Sequence, residues 1–167
     1  MTVNKQYFTM IQVRNALEKI ADRMAEDKWE PDVIMGINRG GCIPGIYLSH
    51  RLNKPHEALD VRLRDHKAKP DLRNLEKAYA FQKKILIIDD INDTGATFNW
   101  IVDDWERIHP GDTEWRNVWC ENVRFAVITD NSASDFKFMV NYSTHEVNKK
   151  EEDIWLVYPW ERVGTYD

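Results

Sequence analysis

Apolar residues alternate between two spacings along this chain of 167 residues. Val13, Leu17, Ile20, Ala21 and Met24 recur every three or four positions, the spacing that lines one face of a helix. Thr9 with Gln12 three positions later forms a capping box, so the pattern predicts an amphipathic helix over about 9–26. Asp32-Val33-Ile34-Met35-Gly36-Ile37 reads as a short buried strand ending in the turn Asn38-Arg39-Gly40-Gly41. Helical spacing restarts at Ile43-Pro44-Gly45-Ile46-Tyr47-Leu48, with Pro44 tolerated in a first turn. A strand is expected over Glu57 to Leu63. Arg64 to Ala80 is rich in charge without a strong period and reads as an exposed, mobile segment.

Ile85 to Asp89 is the strongest strand signal. Four apolar residues in a row suit a central parallel strand covered on both faces. Phe98, Ile101, Val102, Trp105 and Ile108 predict a helix ended by Pro110-Gly111. Val123 to Thr129 reads as another buried strand, Phe136 to Tyr142 alternates weakly, and Ile154 to Tyr158 is a short apolar stretch before Pro159. Strand and helix alternate throughout, which predicts an α/β fold with a mostly parallel central sheet flanked by helices. No linker divides the chain, so residues 1–167 are read as a single domain. Residues 109–122 form a Trp-containing connection with no legible role.

Composition narrows the class. With 43% hydrophobic and 31% charged residues the chain is soluble and globular rather than disordered. A formal net charge of -5, with Lys and Arg dispersed, provides no basic field and excludes a nucleic acid as an expected partner. No apolar run reaches the roughly 18 residues of a membrane span, and the first residues lack the apolar core of a signal peptide. Cys42 and Cys120 show no metal-ligand spacing, so a reducing, cytoplasmic compartment is expected. Cys42 has no evident neighbouring base and reads as packing. The five histidines, His56 and His145 among them, lack pair spacing and read as surface or helix-end residues. The seven Trp residues read mostly as core or interface.

The candidate chemistry concentrates where the strand at Ile85 runs into Asp89-Asp90-Ile91-Asn92-Asp93-Thr94-Gly95-Ala96-Thr97. In an open parallel sheet, ligands bind beyond the carboxyl ends of the strands. Asp93 to Thr97 precedes a helix, so backbone N–H groups and the positive end of the helix dipole face outward there. A phosphate monoester fits that turn, with the Thr94 and Thr97 hydroxyls as added donors and Gly95 and Ala96 keeping the backbone accessible. Asp89 and Asp90 would repel the same phosphate. They suit ribose hydroxyls, or a hard Mg²⁺ ion that itself carries a polyphosphate. An arbitrary Asp-Asp pair more often only solvates a turn, but the whole pattern after an apolar strand favours a phosphorylated sugar.

Ile88 to Thr97 resembles the binding motif for phosphoribosyl diphosphate (PRPP) in type I phosphoribosyltransferases. Asn38-Arg39-Gly40-Gly41 is similar to that family's diphosphate loop, and Asp153-Ile154-Trp155-Leu156-Val157-Tyr158-Pro159-Trp160-Glu161 to the base-binding segment of bacterial xanthine-guanine phosphoribosyltransferase. The resemblance runs from about 7 to 161. It implies a type I fold with a base-binding hood over about 130–161 and a flexible lid over about 64–80, where Arg62, Arg64, Lys67, Lys69 or Arg73 would reach the diphosphate. It implies that Asp93, Thr94, Gly95, Ala96 and Thr97 cradle the 5-phosphate, and that Asp89 and Asp90 hold the ribose hydroxyls, with Asp90 nearer Mg²⁺. Arg39 and Gly40 would meet the diphosphate, with the peptide between them able to be cis. Trp155 would stack on the base, the Leu156 backbone would lie at its edge, and Asp93 would take a proton from the base ring.

The implied reaction joins PRPP and a nucleobase into a nucleoside monophosphate and diphosphate, with a 6-oxopurine (guanine, xanthine or hypoxanthine) as the expected base. The family implies a homodimer or homotetramer. One position departs from it: the purine enzymes carry a lysine after the strand matching Val123 to Thr129, and here Asp130 stands there. A carboxylate repels a 6-oxo group and favours an exocyclic amine. An alignment shifted by one would place Asn131 there, and Lys137 is a further source of the charge. The alternatives are therefore transfer to an amino-bearing base, or a non-catalytic sensor of PRPP or a nucleotide.

Overall fold

The computed structural model describes residues 4–61, 63, 72–107 and 117–161. In chain order the elements are β1 (Asn4–Tyr7), α1 (Met10–Glu26), β2 (Val33–Ile37), α2 (Cys42–Leu52), β3 (His56–Leu59), α3 (Leu72–Ala80), β4 (Ile85–Asn92), α4 (Ala96–Glu106), β5 (Val123–Asn131), β6 (His145–Val147) and β7 (Ile154–Val157). A 3₁₀ turn, Pro159–Glu161, follows. Thr9 caps α1 as its sequence predicts: its hydroxyl accepts from the Gln12 N–H at 3.2 Å while the Gln12 side chain accepts from the Thr9 N–H at 2.8 Å.

The main sheet is wholly parallel in the order β3-β2-β4-β5-β6, and β1 pairs with β7 in a separate two-stranded sheet. Successive residues of a strand point to opposite faces. Leu86 and Ile88 of β4 therefore join Val13, Leu17, Ile20, Met24 and Leu48 of α1 and α2, while Ile85 and Ile87 join Phe98, Ile101, Val102 and Trp105 of α4 on the other face. Helices thus cover both sides of β4, which explains its unbroken apolar run. From β2 the chain moves outward to β3, then returns to place β4 on β2's other side. That reversal opens a crevice beyond the ends of β2 and β4.

Several expectations need correction. The segment 64–80 is not irregular throughout: α3 occupies Leu72–Ala80, with Asn74 and Ala78 buried one turn apart. Arg62, Arg64, Lys67 and Lys69 lie outside the described residues, as does the side chain of Arg73. The strand expected to reach Leu63 ends at Leu59, where its pairing with Ile37 ends. Phe136 to Tyr142 forms no strand; Tyr142 makes an isolated bridge to Ala126, and Phe136 packs its ring on Phe98 and Phe125 at 5.2 and 4.9 Å. His56 and His145 sit half-buried in strands, and burial lowers the pKa of each. Trp119 gives part of the 109–122 connection a role, packing on Trp105 and Phe125 at 5.8 and 5.9 Å; Pro110-Gly111 lies outside the described residues. Among the described residues no helix is long and apolar enough to cross a membrane.

Candidate active site

β4 runs four residues past its apolar core. Asp89, Ile91 and Asn92 still pair with Val127, Thr129 and Asp130 of β5, so Asp89 and Asp90 stand on rigid strand rather than in a loop. Directly after the strand, Gly95 caps α4 with φ 87°, in the left-handed region that favours glycine. A side chain here would also strike the Phe136 backbone N at 2.4 Å. The 134–136 segment braces the turn from above, with the Asp135 N–H donating to the Thr94 carbonyl at 3.0 Å. The Ala96 N–H donates to the Thr94 hydroxyl at 3.2 Å, so this amide is already engaged within the turn. The first turn of α4 opens onto a pocket of about 150 Å³ lined by Asp93, Thr94, Gly95, Ala96 and Thr97.

A larger cleft of about 900 Å³ lies alongside, lined by Arg39 and Gly40 from the β2–α2 turn, Asp89 and Asp90 from β4, and Trp160 and Glu161. Asp89 and Thr97 border both cavities, which therefore share a wall. The β2–α2 turn packs without slack: a Cβ on Gly40 would lie 2.3 Å from Asp90 Oδ2, and one on Gly41 2.1 Å from the Ile88 carbonyl oxygen. The cis peptide is Asn38–Arg39, one position before the one the sequence suggested. Cys42 donates to Asn38 Oδ1 at 2.6 Å, and burial together with Asp89 and Asp60 raises its pKa, which suits packing and not nucleophilic attack.

Burial, reinforced by its neighbour Asp90, holds the Asp89 carboxyl well above the ordinary carboxylate range. Burial pushes Asp90 up to about 6, with Glu161 adding repulsion and a 3.3 Å hydrogen bond donated by Trp160 Nε1 opposing it. Among the described residues neither carboxylate is paired with a basic side chain, and no three potential ligands converge into a metal cage. Two adjacent carboxylates without a protein cage fit Mg²⁺, which is typically held by one or two carboxylates plus substrate phosphates. Tyr158 fixes the strand beneath them: its buried hydroxyl donates to the Asp90 carbonyl at 3.1 Å and shares a 2.8 Å hydrogen bond with Thr129.

Asp93 and Trp155 meet through a residue that sequence reasoning overlooked. Lys149 Nζ donates to Asp93 Oδ2 at 3.0 Å and lies 5.8 Å from the centre of the Trp155 ring, which is 56% exposed. Leu156 is buried beside Trp155, its backbone paired in register with Gln6 of β1, so the N-terminal strand completes the hood. The Asn131 amide ties two segments of the site together. Buried, it donates to the Asp93 carbonyl at 2.8 Å and accepts from the Lys149 N–H at 3.0 Å. Lys137 turns away to Asp103 of α4 at 2.5 Å. Asp130 uses one carboxylate oxygen to accept from Asn92 at 2.8 Å, and burial raises its pKa. Lys149 left no local signal because it opens the charged run Lys149-Lys150-Glu151-Glu152-Asp153, which reads as solvated.

Comparison with solved structures supports this arrangement at the level of the fold. A purine phosphoribosyltransferase from Pyrococcus horikoshii Ot3 aligns over 98% of this chain and 98% of its own, with a TM-score of 0.67 and 24% identity. The Helicobacter pylori xanthine-guanine-hypoxanthine phosphoribosyltransferase aligns over 96% and 95%, with a TM-score of 0.70 and 13% identity. A hypothetical protein from Neisseria gonorrhoeae with bound ppGpp aligns over 98% and 92%, with a TM-score of 0.69 and 18% identity. At sequence level, residues 4–137 match the phosphoribosyl transferase domain model, from the first strand through the strand-end carboxylates and the phosphate-sized turn, and the chain belongs to that family.

Proposed function

We propose that this protein transfers the 5-phosphoribosyl group of PRPP to a 6-oxopurine, releasing diphosphate and a nucleoside 5-monophosphate. The observation that carries the reading is the shared wall of the two cavities. A phosphate monoester in the small pocket and a diphosphate in the large cleft would leave the connecting ribose above Asp89 and Asp90. Purine as the acceptor is supported by the likeness to the P. horikoshii and H. pylori enzymes.

In this reading the N–H groups of the Asp93–Thr97 turn and the α4 dipole bind the 5-phosphate. Asp89 and Asp90 orient the ribose hydroxyls, and Asp90 is the metal-side carboxylate. Arg39 at the cleft wall balances charge on the diphosphate as the bond to the anomeric carbon breaks. Bound Mg²⁺ would supply Lewis-acid stabilisation of that leaving group. Trp155 stacks on the base, the Leu156 backbone borders its edge, and Asp93 accepts the ring proton released as the new C–N bond forms. Asp130 borders the base edge with one oxygen engaged by Asn92, and its other oxygen keeps the amino-bearing base as the alternative acceptor.

The test is diphosphate release from PRPP and Mg²⁺ with a panel of nucleobases. Release with guanine, xanthine or hypoxanthine is expected. Measurable PRPP binding without turnover on any base would overturn the enzyme reading. It would select instead a nucleotide-sensing protein, the reading favoured by the ppGpp-bound N. gonorrhoeae structure. We also propose self-association into a homodimer or homotetramer, supported by the neighbouring exposed side chains Tyr7, Met10 and Ile11. A monomeric mass in sedimentation would refute it.

A further inference from the structure

We infer that Lys149 is the residue that selects an oxo over an amino group on the acceptor base, a role that rests on the transferase reading above. The argument begins with Asn131. One buried amide grips two distant segments, donating to the Asp93 carbonyl at 2.8 Å and accepting from the Lys149 N–H at 3.0 Å. With both backbones fixed, Lys149 Nζ comes to rest 3.0 Å from Asp93 Oδ2, so an ammonium donor and a carboxylate acceptor stand side by side. The Lys149 side chain is 20% exposed and that of Asp93 45%, so the acceptor remains reachable from solvent. Trp155 supplies the third side, its ring centre 5.8 Å from Nζ.

That donor–acceptor pair matches one edge of a 6-oxopurine. The ring nitrogen that attacks the sugar must carry a lone pair, so the imidazole proton sits on the other nitrogen, N7, adjacent to the substituent at C6. Asp93 accepts N7–H as the new bond forms, and Lys149 donates to O6 beside it. On adenine the neighbouring group is an amine, whose hydrogens face an ammonium that can only donate. Of the two other candidates for this position, Lys137 pairs with Asp103, and Asp130 accepts from Asn92 with one oxygen and has no hydrogen to donate when ionised. Lys149 thus replaces, from the segment before β7, a donor that the Asp130 position does not offer.

The experiment compares the wild type with Lys149→Met and Lys149→Arg. kcat/KM is measured for hypoxanthine and adenine, with the KM for PRPP and the melting temperature as controls. A partly exposed ion pair contributes little stability, so both variants are expected to fold. For Lys149→Met the expected result is a loss of about 10–100-fold on hypoxanthine, the value of a hydrogen bond to a charged group. Activity on adenine, which shares only the perturbation of Asp93, falls far less than activity on hypoxanthine, the KM for PRPP is unchanged, and Lys149→Arg recovers most of the loss. Equal losses on both bases, a rise in the PRPP KM that accounts for the loss, no effect, or a wild-type preference for adenine would each overturn the inference while leaving transfer established. If the wild type turns over no base, the transferase reading fails, and calorimetric binding of IMP and AMP still decides Lys149. An IMP preference that Lys149→Met abolishes supports the assignment, and its absence or persistence overturns it.

Discussion

Asp90→Asn is predicted to make this protein more stable at neutral pH while removing a carboxylate that its proposed chemistry uses. In the folded chain Asp90 sits on β4 against Asp89, with Glu161 nearby, while Trp160 Nε1 and the Ile91 N–H favour its charged form too weakly to offset burial. Raising its pKa from 3.8 to about 6 means that the folded state holds the proton more tightly than the unfolded chain. Ionising the group at pH 7.5 therefore costs the folded state, by linkage, up to about 3 kcal/mol. Water in the open cleft screens part of this, so about 1–3 kcal/mol is expected. The sign is opposite to that of a salt-bridged aspartate. The penalty is full above pH 6, shrinks as the pH falls from 6 towards 4, and is nearly gone near pH 4. Asparagine removes the charge and can still accept from Trp160. It also eases Asp89, whose raised pKa owes part of its shift to Asp90.

The assay is urea or thermal unfolding of the metal-free wild type and variant across that pH range. At about 2–4 °C per kcal/mol for a chain of this size, the variant should melt roughly 2–12 °C higher at pH 7.5, the gap closing with acid. A variant that is equal or less stable at pH 7.5, or a gap that does not close, would refute the reasoning. The second readout is PRPP turnover with Mg²⁺, which should fall in the same variant.

Three further outcomes follow from the site. Asp93→Asn should lower kcat by about 10²–10⁴-fold, as loss of a general base does, while PRPP affinity measured by calorimetry changes little; equal losses would mean Asp93 only shapes the turn. Gly40→Ala drives a methyl into Asp90, whose Oδ2 would lie 2.3 Å away, so the KM for PRPP should rise by about tenfold or more, and an unchanged KM would show that the turn relaxes freely. Trp155→Ala removes a stacking surface worth about 1–3 kcal/mol, so the base KM should rise by roughly 10–100-fold with the PRPP KM constant; parallel rises in both would move Trp155 out of the base site.

Hydrophobic spacing made the central sheet and its helices legible because those residues face the core, and it failed where side chains face the cleft or solvent. Asp89–Asn92 and Asp130–Asn131 extend β4 and β5 beyond their apolar runs. Polar residues stand there because the sheet opens onto the crevice, and cross-strand pairing, with Asn92 opposite Asp130, carries the strands onward. Asn4–Tyr7 has no apolar signal because it forms half of a two-stranded sheet whose pattern exposes most of its side chains. Among the described side chains of α3 the buried ones are Asn74 and Ala78, one polar and one small, which give hydrophobic spacing little to register within a charged segment.

The same division separates the two halves of the candidate site. The sugar-donor half is built from two short stretches, Asn38–Gly41 and Asp89–Thr97, at the ends of neighbouring parallel strands, so each stretch carries its own chemistry in contiguous residues. The proposed acceptor half is assembled from Asp93, Asn131 and Lys149, joined by side-chain hydrogen bonds across as many as 56 positions of sequence, with the Trp155 ring set beside Lys149. No window of sequence contains that relation. Asp130 read alone therefore argues for an amine on the base, whereas in the proposed reading the Lys149–Asp93 pair adds a donor beside an acceptor. Charge at a specificity position must accordingly be counted over the groups that converge on the ligand, and here that count turns on Lys149.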